Sequence, residues 1–236
     1  MFSALTILFT FVFFALPAAA IGIPWALVFG DIGLLYRWSM WIMRTGLKLG
    51  RIRIVVVGRE QVPDRPCIFM ANHVSNLDPP ILMPLFPFRT SFFLKRSLIK
   101  IPILGWGMRL ADFIPVDRDG RLESARESVK VGQRVLASGV SITTFPEGTR
   151  SRDGKMLPFK KGAFYLAMES GAPVVPVSIC GSEHMMTKGS LRIQPGTAKV
   201  TFHPALDPQS FATREELMAA VRGAISSGLP EWMHAN

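Results

Sequence analysis

The sequence predicts an α/β fold, one globular domain behind an apolar N-terminal segment. Three observations carry that expectation. From residue 52 onward, short apolar runs of strand length alternate with longer amphipathic stretches, the pattern of strands and helices following one another along an open sheet. A chain of 236 residues fills one α/β core with an appendage and is too short for two enzymatic domains. From Met1 to Gly30 no residue is charged, in a chain that is 49% hydrophobic with a mean hydropathy of +0.29.

The uncharged run has three readings. A secretory signal would use the small residues Pro17-Ala18-Ala19-Ala20, but no basic stretch precedes them and the apolar pattern continues through Ile21, Ile23, Trp25, Leu27 and Phe29. A single spanning helix would be oriented by Arg37, Arg44, Lys48, Arg51 and Arg53, which hold the following chain in the cytoplasm. A helical hairpin dipping into one leaflet would be kinked at Pro17 and Pro24 and broken at Asp31 and Gly33. Its second arm, residues 34–49, carries Arg37, Arg44 and Lys48 on one face and Leu34, Leu35, Trp38, Trp41, Ile42 and Leu49 over much of the rest. Both membrane readings make residues 1–50 an anchor and put the α/β domain, residues 51–236, on the cytoplasmic face of the cytoplasmic membrane.

Beyond the anchor, residues 52–57 and 67–71 read as buried strands, and 97–110 and 122–136 as helices. Residues 141–145 form a strand, 163–169 a helix, 174–179 and 197–203 strands, and 214–225 a closing helix. The stretch with Arg89, Lys95, Arg96 and Lys100 contains no acid and is interleaved with Phe92, Phe93, Leu94, Leu98 and Ile101. It suits a surface touching headgroups and acyl chains, or a core helix with snorkelling lysines. A formal net charge of +10 invites nucleic acid as a partner; the apolar N-terminus and the lack of a recognised binding motif favour anionic lipid instead. Cys67 and Cys180 read as buried thiols of a reducing compartment, with a disulfide open only if their strands adjoin. His184, His203 and His234 lack ligand spacing, so no metal is expected. Met185, Met186, Phe164 and Met168 read as packing residues before they read as an acyl groove.

The chemistry sits in Asn72-His73-Val74-Ser75-Asn76-Leu77-Asp78 and in Phe145-Pro146-Glu147-Gly148-Thr149-Arg150. A histidine takes a proton from an alcohol, and a carboxylate on its other ring nitrogen fixes the tautomer and favours the imidazolium. No GxSxG serine and no activated cysteine accompanies the pair, which therefore suits direct activation of a substrate hydroxyl. Five residues span about 140° on an ideal helix, so the pair belongs across a strand-to-helix turn with Pro79 or Pro80 at the helix start.

These residues resemble the blocks of the glycerolipid acyltransferase family, closest to the bacterial 1-acylglycerol-3-phosphate acyltransferases. NHxxxxD is read at 72–78 and followed by Pro79-Pro80; FPEGTR stands unchanged at 145–150. A short apolar strand ending in Arg118 lies between them, and the proline-bearing strand Ala172-Pro173-Val174-Val175-Pro176-Val177 follows. The resemblance covers roughly residues 52–204. It implies a mixed central sheet flanked by helices behind a two-helix anchor. It also implies transfer of an acyl chain from a thioester to the sn-2 hydroxyl of lysophosphatidic acid, giving phosphatidic acid. His73 would be the base, Asp78 its orienter, and Arg118 with Glu147, Gly148, Thr149 and Arg150 the acceptor site, with Lys95 a further contact. Glu147 is expected to hold Arg150 or Arg118, or to bind a glycerol hydroxyl. Lys160 and Lys161 either assist or form a solvated edge. No bound cofactor is implied; the donor is acyl-CoA or acyl carrier protein, both acidic. Another lysolipid acceptor, or a non-catalytic lipid-binding role, are the competing readings.

Overall fold

The structure, a computed structural model, describes residues 4–116, 122–186 and 193–234. Two helices open the chain, α1 (Ala4–Phe29) and α2 (Gly33–Leu49), separated where Asp31 Oδ1 accepts the Gly33 N–H at 2.7 Å. They fold back on each other. A Cβ on Gly22 would meet the Leu35 side chain at 2.9 Å, and the rings of Phe14 and Trp41 stand 5.2 Å apart, edge to face. One residue number falls as its partner's rises, as in an antiparallel hairpin. No helix among the described residues is long and apolar enough to cross a membrane.

Seven strands follow: β1 (Ile52–Val57), β2 (Ile68–Ala71), β3 (Thr90–Lys95), β4 (Ile114–Val116), β5 (Ser141–Thr144), β6 (Val174–Cys180) and β7 (Gly196–Phe202). They form one mixed sheet in the order β1-β7-β6-β2-β5-β3-β4, in which only the β6/β7 pair is antiparallel. Among the described residues the helices between them are α3 (Asp78–Leu82), α4 (Leu104–Leu110), α5 (Leu122–Ala137), α6 (Gly162–Ser170) and α7 (Ser182–Met185), and α8 (Arg214–Ser227) follows β7.

Strand β2 shows why the sheet is buried on both faces. Ile68 and Met70 join the core under α5, α6 and α8, while Phe69 and Ala71 join the core under α2 and α3. All four are fully buried, so the run is apolar without alternation, as a central parallel strand requires.

Two expectations change. Residues 97–110 are not one helix: a 3₁₀ turn (Arg96–Lys100) is followed by Pro102 and then α4. Pro102 favours extended backbone at Ile101, found at ψ 122°, and the chain reverses through Ile103 at φ 65° before α4 begins. Thr90–Lys95 is a strand and not part of a helix; Phe92 and Leu94 are buried, Phe93 is partly buried and Lys95 is exposed. The two thiols are free as expected, Cys67 buried and Cys180 partly so; their strands adjoin, but in parallel with Ile68 opposite Val174, so the thiols lie at opposite ends. Arg118 lies outside the described residues.

Candidate active site

Parallel strands β6, β2 and β5 are neighbours, so the loops leaving their C-terminal ends converge on one edge of the sheet, where open α/β folds place their chemistry. Strand β2 delivers Asn72 and His73. The Asn72 side chain continues the ladder past the strand, donating to Ile179 O and accepting from Ile179 N, both at 2.8 Å. The histidine thus leaves a pinned strand end.

His73 Nδ1 lies 2.7 Å from Asp78 Oδ2, across the turn from β2 into α3, with Pro79 and Pro80 in the first turn as expected. Asp78 is fully buried. Its Oδ2 also accepts Val74 N and Ser75 N at 2.8 Å, and its Oδ1 accepts the Ser182 hydroxyl at 2.6 Å. Hydrogen bonds to a charged acceptor are worth about 1.5–3 kcal/mol each, and a buried carboxylate needs several to offset its lost hydration. Bound this way, Asp78 fixes the imidazole through Nδ1 and leaves Nε2 for a substrate. The ring stacks on Phe145 at 4.0 Å and 17°.

Glu147 is placed differently from expectation. It is 2% exposed; its Oε1 accepts the His73 N–H at 2.8 Å and its Oε2 the Leu157 N–H at 3.0 Å. Ser151 N donates to His73 O at 2.9 Å, so both backbone groups of the histidine are held by the FPEGTR loop and its continuation. Burial pushes the Glu147 carboxyl up to about 7 against the two N–H donors, with Asp78 adding to the rise and Arg222 opposing it.

In front of His73 opens a cavity of about 740 Å³. Its lining includes the cationic and polar residues Lys95, Gly148, Thr149, Arg150 and Lys160 and the apolar residues Met83, Phe92, Leu94, Leu98, Met108 and Phe113. Gly148 stands at φ 68°, in the left-handed region that favours glycine, and the Lys160 side chain lies across the space its Cβ would occupy. The two adjacent lysines part company, because Lys161 is exposed and pairs with Glu215 at 3.8 Å. Phe164, Met168 and Met185 pack in the core, as their bland readings have it. Among the described residues no three His, Cys, Asp or Glu side chains gather as a metal site.

A model of the Acyltransferase family matches residues 53–180. The chain belongs to this family. A 1-acyl-sn-glycerol-3-phosphate acyltransferase of Chlamydomonas reinhardtii is 38% identical over 182 residues, covering 75% of this chain and 53% of that one. Its namesake in Pseudomonas aeruginosa is 31% identical over 178 residues, covering 75% and 67%. A crystal structure of the 1-acyl-sn-glycerophosphate (LPA) acyltransferase PlsC from Thermotoga maritima superposes with a TM-score of 0.80 at 30% identity, covering 95% of this chain and 93% of that one. The chain spans about half the length of many of the curated relatives it matches.

For an acyltransferase site, the residues missed by sequence reasoning are those that hold the pair in place. Ser182 meets Asp78 from 104 positions away, and Leu157 meets Glu147 through its backbone. Neither contact leaves a mark in local pattern.

Proposed function

We propose that this acyltransferase moves a fatty acyl chain from an acyl thioester to the sn-2 hydroxyl of lysophosphatidic acid. His73 Nε2 takes the hydroxyl proton while the oxygen attacks the thioester carbonyl; the tetrahedral intermediate then collapses, the C–S bond breaks, and the thiol leaves with the proton from His73. Asp78 holds the ring and favours its charged form. One observation carries the reading: the His73–Asp78 pair borders a cavity whose lining combines the cations Lys95, Arg150 and Lys160 with apolar side chains, the two kinds of contact that a phosphate and an acyl chain need. Lys95, Thr149, Arg150 and Lys160 bind the phosphate, and Arg118 belongs with them by its motif. The donor is acyl-CoA or acyl carrier protein.

Residues 1–50 anchor the enzyme to the cytoplasmic face of the cytoplasmic membrane, as a hairpin lying in one leaflet. Phe13, Leu16, Ile21, Trp25, Leu27, Val28 and Phe29 of α1 are exposed, and so are Ile101, Ile103, Leu104 and Trp106 on the α4 segment that α1 touches. An apolar surface of that extent on a water-facing protein calls for a cover. Arg44, Lys48, Arg51 and Arg53 line a cleft of about 520 Å³ between α2 and β1, suited to anionic headgroups.

Acyl transfer by the purified, detergent-solubilised protein from a labelled thioester to a panel of lysolipids tests the reaction. Phosphatidic acid is the expected product, and His73→Ala should lower turnover by about a hundredfold or more, the scale of a lost general base. Product from a different lysolipid alone would reassign the acceptor, and near-normal turnover by a folded His73→Ala protein would remove the base.

A further inference from the structure

The closing helix α8 lies outside the matched stretch of residues 53–180, yet one of its side chains reaches the catalytic edge. Arg222 Nη1 donates to Leu157 O at 3.0 Å, and its guanidinium sits over the Phe159 ring at 5.2 Å. Leu157 uses its other backbone group, the N–H, to hold Glu147 Oε2, and Glu147 Oε1 in turn holds the backbone N–H of His73. Three residues on, Lys160 N donates to Pro146 O at 2.7 Å, so the segment 157–160 grips the FPEGTR loop at two successive residues.

We infer that Arg222 is a positioning residue for His73, acting through Leu157 and Glu147. Gripping the Leu157 carbonyl holds that stretch of backbone in place and so keeps the Leu157 N–H within reach of the buried carboxylate. Without the grip, Glu147 keeps one backbone donor instead of two, and a buried carboxylate short of a donor either takes a proton or turns away. Either response loosens the His73 N–H and moves Nε2 from its line of attack, to which transfer rates are sensitive. The guanidinium also supplies positive charge to a carboxylate whose other charged neighbour, Asp78, is negative. Two roles thus converge on one side chain, a hydrogen bond at long reach and a field.

The inference rests on the proposed reaction for its kinetic reading and on structure alone for its second. Arg222→Met and Arg222→Lys are made in the full chain. In Arg222→Met, kcat should fall about tenfold with a smaller change in KM for lysophosphatidic acid, and the acid limb of kcat should move to higher pH as Glu147 loses its cation. Arg222→Lys, which keeps one donor and the charge, should recover most of both. A folded Arg222→Met protein with unchanged kcat and an unmoved limb overturns the inference, as does a folded Arg222→Lys protein no better than Arg222→Met. Amide hydrogen exchange decides the matter without turnover. Faster exchange in both segments 156–160 and 72–75 of the methionine variant supports the chain of contacts, whereas faster exchange confined to 156–160 overturns it. Absence of transfer by the unmodified protein would sink the proposed reaction and leave the exchange result standing.

Discussion

Lys160 and Lys161 are adjacent in sequence and opposite in placement, and the sequence could not separate them. The backbone bond from Lys160 N to Pro146 O lays the first side chain across Gly148 at the cavity wall, while the second turns outward to Glu215. Lys160→Ala should therefore raise KM for lysophosphatidic acid about tenfold, the scale of one charged hydrogen bond, and Lys161→Ala should leave it within about twofold. Steady-state titration of the acceptor at saturating donor reads both; equal effects would return Lys160 to the surface. The contrast shows what is legible at this scale. His73 and Asp78 are five apart and share a turn, so their pairing could be read directly. Glu147 could not be placed from its neighbours, because the groups that claim its oxygens belong to residue 73, brought near by the β2/β5 pairing, and to residue 157, brought back by the connection to α6.

Elements declared themselves where one property repeats. Apolar runs marked β1, β2, β5 and β6, and amphipathic spacing marked α5 and α8. Strand β3 was obscured because its residues 90–94 face packed neighbours on both sides, which removes the alternation that identifies a half-exposed strand. The turn at Ile103 was hidden by a basic-apolar pattern that runs through Pro102 without a change of composition. Between α1 and α2 the decisive residue is Gly22, whose missing side chain lets Leu35 approach. Gly22→Leu would force the hairpin apart, costing about 1–3 kcal/mol if the helices cannot adjust. The expected result is weaker flotation with anionic vesicles, while turnover of a short-chain, water-soluble lysophosphatidic acid stays within about twofold. Unchanged flotation would detach the hairpin's geometry from membrane attachment.

Over the whole molecule, buried ionisable groups couple stability to pH in opposite senses. Glu147 rises from an ordinary 4.5 to about 7 on folding, so the folded protein holds its proton more tightly. That contribution is fully present below about 4.5 and is lost as pH climbs through about 7. Burial lowers His203, whose Nε2 lies 2.6 Å from the Ser178 hydroxyl, so its contribution is present above the ordinary value of 6.5 and lost as pH falls through the depressed one. Replacing Glu147 with Gln deletes the first term alone. Thermal midpoints from pH 5 to pH 8 should then show the variant gaining on the unmodified protein as pH rises; parallel curves would mean that Glu147 keeps its ordinary acidity. Net charge and the apolar N-terminus were readable from composition, whereas the strand order was not, since it depends on which edges meet after the chain has doubled back.

That order makes β1 wait for β7. β1 leaves the ribosome early, yet β7, its neighbour in the sheet, begins at Gly196, and the pairing is parallel with Ile52 opposite Gly196. A growing chain therefore carries β1 unpaired until β7 has been made, with Val55 and Val57 exposed on its outer face even in the finished fold. Helix α2 precedes β1 in the chain and packs on it in the finished fold, so the inward face of β1, Ile52, Ile54 and Val56, has an apolar neighbour before its strand partner is made.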